Sequence, residues 1–190
     1  MFSHWRRRRR RHSQRIDPFG VGEPWRRFVR EALQAQARYQ QGMSGVAAGP
    51  LRERLDDIGR WVDQAAQECW RVAQRGDALE DAVSALGVVG LRARLAAAAS
   101  DEVELSAPRV ASLQAQLAAV ERMEAMVAQA QEQLAHLEAG LGQVVASAVE
   151  LSTRSAASMD ATDLGHDVDH LVDEMASLRS ALEETRALGA

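Results

Sequence analysis

Two histidines and a run of carboxylates stand together in DLGHDVDHLVDE, near the end of a 190-residue chain. His166 and His170 fall one helical turn apart, with Asp163, Asp167 and Asp173 close by. Imidazole and carboxylate at that spacing can share a metal ion. The same segment carries an apolar stripe, Leu164, Val168, Leu171 and Met175, stepping by four and three. Both histidines point away from that stripe, so the pair lacks the enclosing shell and outer partners that hold a metal ligand in place. A solvated acidic face is the stronger reading, and the pair is only a weak metal candidate. No metal and no cofactor are expected.

The second group with reactive chemistry is Cys69, the one cysteine, which rules out an intrachain disulfide. It falls on an apolar helical seam. A reactive thiol needs an exposed, electropositive setting and a base, so a buried structural thiol is expected instead. Enzyme signatures are missing: the chain has no GxxxxGK[ST], HExxH, GxGxxG, GxSxG or paired-cysteine motif. Its carboxylates fall on outward helix positions, where nothing separates their pKa values for acid and base roles. The chain reads as a non-enzyme with no small-molecule substrate.

The third group is basic. The chain opens MFSHWRRRRRRHSQR, with Arg6, Arg7, Arg8, Arg9, Arg10 and Arg11 in one run. Residues 1–30 hold ten arginines against Asp17 and Glu23, a net of +8 with histidine neutral, while residues 31–190 carry a net of −12. All 23 basic residues are arginine, so the choice of arginine at any one position carries little weight. A basic head on an acidic body points to an anionic partner or to head-to-body pairing. An anionic membrane surface is favoured, at about 1 kcal/mol per arginine at best, with Phe2 and Trp5 adding interfacial contact. Phosphate contacts to nucleic acid are the alternative, against which stands the acidic body with no basic recognition helix. A solvated tail that serves solubility is the third reading.

Behind the head comes IDPFGVGEPW, residues 16–25, with two prolines, two glycines, Phe and Trp. Phe19 and Trp25, with Phe28 following, are candidate anchors. They serve either a docking peptide or a strap that folds back and buries its aromatics, and the strap is slightly favoured.

These groups must be positioned by helices. Pro24 suits the first position of a helix running to about Gln41. Gly42, Gly45 and Gly49 read as a linker. From Pro50, apolar residues step by four and three without a break: Leu51, Leu55, Ile58, Val62, Ala65, Cys69, Val72, Gly76, Leu79, Val83, Leu86. That is a heptad seam over five repeats. Its small central residues would admit a close partner, and Trp61 and Trp70 flank it. Gly87 and Gly90 interrupt the pattern before a short helix at 91–99. From Pro108, a second long segment carries Val110, Leu113, Leu117, Val120, Met123, Val127, Leu134, Leu137, Leu141, Val144, Ala148 and Leu151 at helical spacing. Gly140 and Gly142 mark a bend or close crossing within it.

The expected fold is all-α: an elongated antiparallel helical hairpin or coiled-coil bundle of about four main helices with a disordered basic N-terminal tail. The divisions are 1–15 for the tail, 16–24 for the strap, and 25–190 for the bundle, with helices near 25–41, 50–86, 91–99, 108–155 and 162–187. The arginine run lacks the apolar stretch of a signal peptide, and no segment approaches ~18 consecutive apolar residues. The expected location is cytoplasmic and membrane-peripheral.

A short basic, aromatic-containing N-terminus (MFSHW before the arginines) ahead of long Arg/Glu/Gln/Ala helices resembles, in architecture alone, the phage-shock-protein A and ESCRT-III-like membrane-remodelling proteins. Those families begin with an amphipathic helix, which six arginines interrupt here. The expected function is a scaffold or adaptor whose helices bind a protein partner or a second copy, with the head on an anionic surface.

Overall fold

The computed structural model describes residues 16–100 and 106–153, and beyond them only His166, Asp169, His170, Asp173, Ala176, Ser177 and Ser180. The predicted tail at 1–15 and most of the predicted helix at 162–187 therefore lie outside the described residues. The described chain is all-α. A 3-10 turn at Pro18–Gly20 precedes α1 (Trp25–Met43), α2 (Pro50–Ala85), α3 (Val88–Ala99) and α4 (Ser106–Thr153). No strand occurs among the described residues.

The helix ends differ from the predicted ones for local reasons. Pro24 is not the first helical residue; it precedes Trp25 as the N-cap, after a cis Glu23–Pro24 bond. α1 runs through Gly42, which had read as linker, because Met43 is buried and Gly42 lies against Val149 of α4. α2 begins at Pro50, where the missing N–H goes unneeded. It ends ahead of Gly87, whose φ of 59° is the left-handed conformation that glycine adopts at least cost. α3 starts three residues earlier than predicted because Val88 already packs with the residues facing it. α4 starts at Ser106, placing Pro108 within the first turn, where a proline costs no hydrogen bond.

Contacts along α1 and α2 fix their direction. The Trp25 indole lies over Gly76, Gln36 Nε2 donates to Asp63 Oδ1 at 2.7 Å, and Arg52 Nη1 donates to the Met43 carbonyl at 2.8 Å. The Tyr39 hydroxyl donates to the Leu55 carbonyl. Ascending positions on α1 meet descending positions on α2, so the two run antiparallel. α4 packs on both.

Two hydrophobic clusters result. The larger joins Trp25, Phe28, Val29, Ala32 and Tyr39 of α1 to Leu55, Ile58, Val62, Cys69 and Val72 of α2, and to Leu134, Leu137, Leu141 and Val144 of α4. The smaller holds Val83, Leu91, Ala98, Leu113 and Val120, with Val88, Leu95, Val110 and Leu117 packed against it. The predicted seams supply most of both clusters. Leu86, placed at the end of the first seam, is instead 53% exposed. Among the described residues Gly142 makes no close crossing, since a Cβ there would meet nothing of them within 4 Å. The close crossings are at Gly42, Gly59 and Gly76, where a Cβ would approach Val149, Tyr39 and Trp25 at 2.6, 3.0 and 2.2 Å.

The helical stretch Pro50–Ala99 contains an 18-residue window long and apolar enough, by length and composition alone, to cross a membrane. In the acid-free part of that stretch, residues 82–99, only Val83, Leu91 and Ala98 are buried.

Candidate functional site

Polar contacts both shape the segment at 16–24 and fix it on the bundle. The Asp17 carboxylate accepts from the Phe19 N–H at 3.0 Å, and the Asp17 carbonyl accepts from the Gly20 N–H at 2.9 Å, which closes the 3-10 turn. The Gly22 N–H donates to Asp77 Oδ1 on α2 at 2.9 Å. Arg26 donates through Nε and Nη2 to the Val21 carbonyl at 3.2 and 3.0 Å. The Trp25 Nε1 donates to Glu80 Oε2 at 2.7 Å, a charge-assisted bond of roughly 1.5–3 kcal/mol. Gly20 lies flat on the Trp70 ring, where an added Cβ would come within 3.0 Å. The Trp70 indole N–H, buried beneath, has no hydrogen-bond partner among the described residues.

The three candidate anchors separate. Trp25 and Phe28 are core residues, with Trp25 wholly buried and the Arg27 guanidinium 4.7 Å from the Phe28 ring centroid. They hold the strap and α1 onto α2. Phe19 is 79% exposed, its ring 5.6 Å from the Arg26 guanidinium. It is a large apolar side chain displayed on a backbone already fixed by hydrogen bonds.

Of the predicted packing seam, Leu55, Ile58, Val62, Cys69 and Leu79 are buried, and Leu51 is half-buried at the start of α2. Burial pushes the Cys69 thiol up to about 12, with the Glu138 carboxylate adding to the rise. A thiol held in its neutral form is a poor nucleophile. Burial, helped by Asp56, likewise raises the Tyr39 phenol well above its ordinary value. Glu68, buried on α2, is paired with Arg71.

His166 and His170 are both exposed, and no group of three or more His, Cys, Asp or Glu side chains among the described residues is placed to hold a metal ion. Arg6 to Arg11 lie outside the described residues, but their point of attachment does not. The strap meets α2 at Trp70, Gly76, Asp77 and Glu80, towards the end of α2 that leads into α3.

Sequence reasoning missed the partners of the strap and the character of residues 82–99. Asp77 and Glu80 lie one turn apart on α2, an acidic pair facing an arginine-flanked strap, and that charge match was the available signal. For 82–99 the signal was an absence of acids: none falls between Asp81 and Asp101, in a chain that carries 27. No known protein family, curated protein or solved structure matches the chain.

Proposed function

We propose that the protein is a non-enzymatic helical scaffold that tethers a protein partner, or a second copy of itself, to an anionic surface, with a membrane favoured. In this reading the helices form an elongated antiparallel bundle. The segment predicted as a helix at 162–187 adds a fourth main helix to α1, α2 and α4, and residues 1–15 act as a disordered electrostatic tether. The observation that carries the reading is the charge polarity, +8 over residues 1–30 against −12 over the rest. The strap supports it: its hydrogen bonds to α2 and α1 join the basic head mechanically to the body, so force or localisation applied at the head reaches the bundle. Apart from that attachment, the chemistry of the head is generic. Its binding should fall steeply with salt and should survive scrambling of residues 1–15.

The alternative, nucleic-acid association through the same arginines, is separated by one experiment. Flotation with anionic vesicles and a DNA mobility shift are run in parallel on the full chain and on a variant with Arg6 to Arg11 replaced by Gln. Flotation with negligible DNA retardation, lost in the variant, supports the tether to membranes. DNA retardation without flotation replaces it with the nucleic-acid reading. Flotation unchanged in the variant removes the head from the account.

A further inference from the structure

We infer that α3 and the turn before it form a second lipid-contact site, built as a short interfacial helix with flanking arginines, independent of the N-terminal head. The inference stands first on residues 82–100 and shares with the function proposed above the class of partner.

The first observation is composition. From Ala82 to Ser100 there is no acid, and the two charges are Arg92 and Arg94. The body around this stretch is acidic, so an anionic surface is attracted here and repelled by most of the rest. The second is exposure. A segment this apolar in a soluble core is mostly buried, yet within residues 82–99 only Val83, Leu91 and Ala98 are buried. Leu86 and Val89 are 53% and 84% exposed on either side of the left-handed Gly87.

The third observation is the arrangement around the helix axis. Leu91 and Ala98 are buried in the smaller cluster and Val88 and Leu95 pack against it, so these residues define the inner face of α3. At about 100° per residue, Ala93 lies opposite that face, with Val89, Ala96, Ala97 and Ser100 beside it. All five are exposed. Arg92 and Arg94 then fall about 100° to either side of Ala93. This outer face is built of small residues and edged on both sides by arginine, with Val89 on it and Leu86 before it as the exposed large apolar side chains. The long arginine side chains run outward along the helix and reach phosphates while the apolar residues enter the acyl boundary. A second copy binding through the same face would bring Arg92 and Arg94 of both chains together, which disfavours that occupant.

Position adds a fourth argument. The strap residue nearest the head that touches α2 is Gly20, which lies against Trp70, sixteen residues before Leu86 and roughly 24 Å from it along the helix. A 15-residue head spans up to roughly 50 Å when extended. Head and α3 can therefore engage one surface together. Each is weak alone, and stable attachment takes two such signals.

The test places a polarity-sensitive fluorophore at residue 89 in the full chain through Val89→Cys. Cys69 is buried and stays unlabelled in the native protein. Gln41→Cys, exposed near the end of α1 and remote from α3, is the control. Phosphatidylserine-containing vesicles should shift the residue-89 emission to the blue and raise it severalfold, with no change at residue 41 and none with pure phosphatidylcholine. Co-sedimentation without a change at residue 89 overturns the inference and leaves the tether standing. A blue shift at 89 that grows with protein concentration in the absence of lipid overturns it in favour of self-association. With Arg6 to Arg11 replaced by Gln, the residue-89 response should persist at lipid concentrations about tenfold higher or more. Vesicle binding and a residue-89 response that are both unchanged in that variant support the α3 site and overturn the tether. Loss of the response at every lipid concentration overturns the independence claimed for α3.

Discussion

Packing changes character along the length of α4. From Val127 to Leu151 its inner face meets α1 and α2 together, and the side chains there, Leu134, Leu137, Leu141 and Val144 among them, are closed in on several sides. From Val110 to Val120 the same helix meets α3 and the end of α2, and far fewer residues are buried. The two regions share a periodic apolar pattern and differ in how many partners cover it. Hydrophobic stabilisation follows the area removed from water, about 25 cal/mol per Å², so the three-helix body holds most of the stability and the α3 arm little. The arm is also where the acids stop and the exposed apolar residues collect. The well-covered region is free to be acidic on its outer faces, and the thinly covered one presents the surface that invites a partner.

The comparison can be broken by mutation, most severely in the body. Leu55→Asp places an unpaired carboxylate at a wholly buried position beside the Tyr39 hydroxyl bond, and should cost more than about 4 kcal/mol, enough to abolish the cooperative melt. If circular dichroism shows the variant melting as wild type does, the body's core is misassigned. Gly76→Ala follows. Its Cβ would fall 2.2 Å from the rigid, buried Trp25 ring, and a loss on the order of 3 kcal/mol is expected by chemical denaturation. An unchanged midpoint would mean that the strap is not seated on α2. In the arm, Leu113→Ala should cost about 2–3 kcal/mol, the lower part of the range for such a change, because the cluster that buries it is small and can close on the gap. Hydrogen exchange should show that loss in α3 and the start of α4 alone; an equal loss in α1 would erase the distinction between the regions.

A smaller effect is pH-dependent and belongs to the body. The Cys69 thiol ordinarily titrates near 9 and is raised to about 12 in the folded protein. The unfolded chain therefore releases this proton first. The contribution is intact below pH 9 and is lost progressively as pH rises towards 12, by about 1–2 kcal/mol at pH 10. Cys69→Ala should flatten the fall in thermal midpoint between pH 8 and 10, Tyr39 accounting for what remains. A slope identical in wild type and variant would show the thiol to be less enclosed than described. The smallest effect has the opposite sign. Gly90→Ala lies within α3, where an added Cβ meets nothing within 4 Å, and should stabilise the arm by about 0.5–1 kcal/mol. The same exchange at Gly76 and at Gly90 thus reads out the difference in packing directly.

Much of the helical plan was legible because periodicity reports which residues must be buried. Every predicted position from Leu55 to Val83 is buried, and from Leu113 to Leu151 all but Leu117 and Met123. What periodicity cannot give is how many helices cover a stripe, which is why Leu86 extended the seam on paper and is exposed in the structure. Glycine was misread for the same reason. Gly42 looked like linker, whereas its neighbour across the gap, Val149, makes it a close crossing within α1. In the strap, aromatics were visible as anchors, but Phe19 and Trp25 are told apart only by Gly76, Asp77 and Glu80, some fifty residues away. The charge polarity of the head was legible in full because it needs no fold.

Native-state hydrogen exchange on the full chain, with and without phosphatidylserine-containing vesicles, tests the division between body and arm most directly. The amides of α3 and the first turns of α4 should exchange through an opening several kcal/mol below that of α1, α2 and the rest of α4. On adding vesicles, protection should rise across residues 84–100 and stay constant in the body. A single opening free energy throughout, with no change on adding vesicles, would contradict the account.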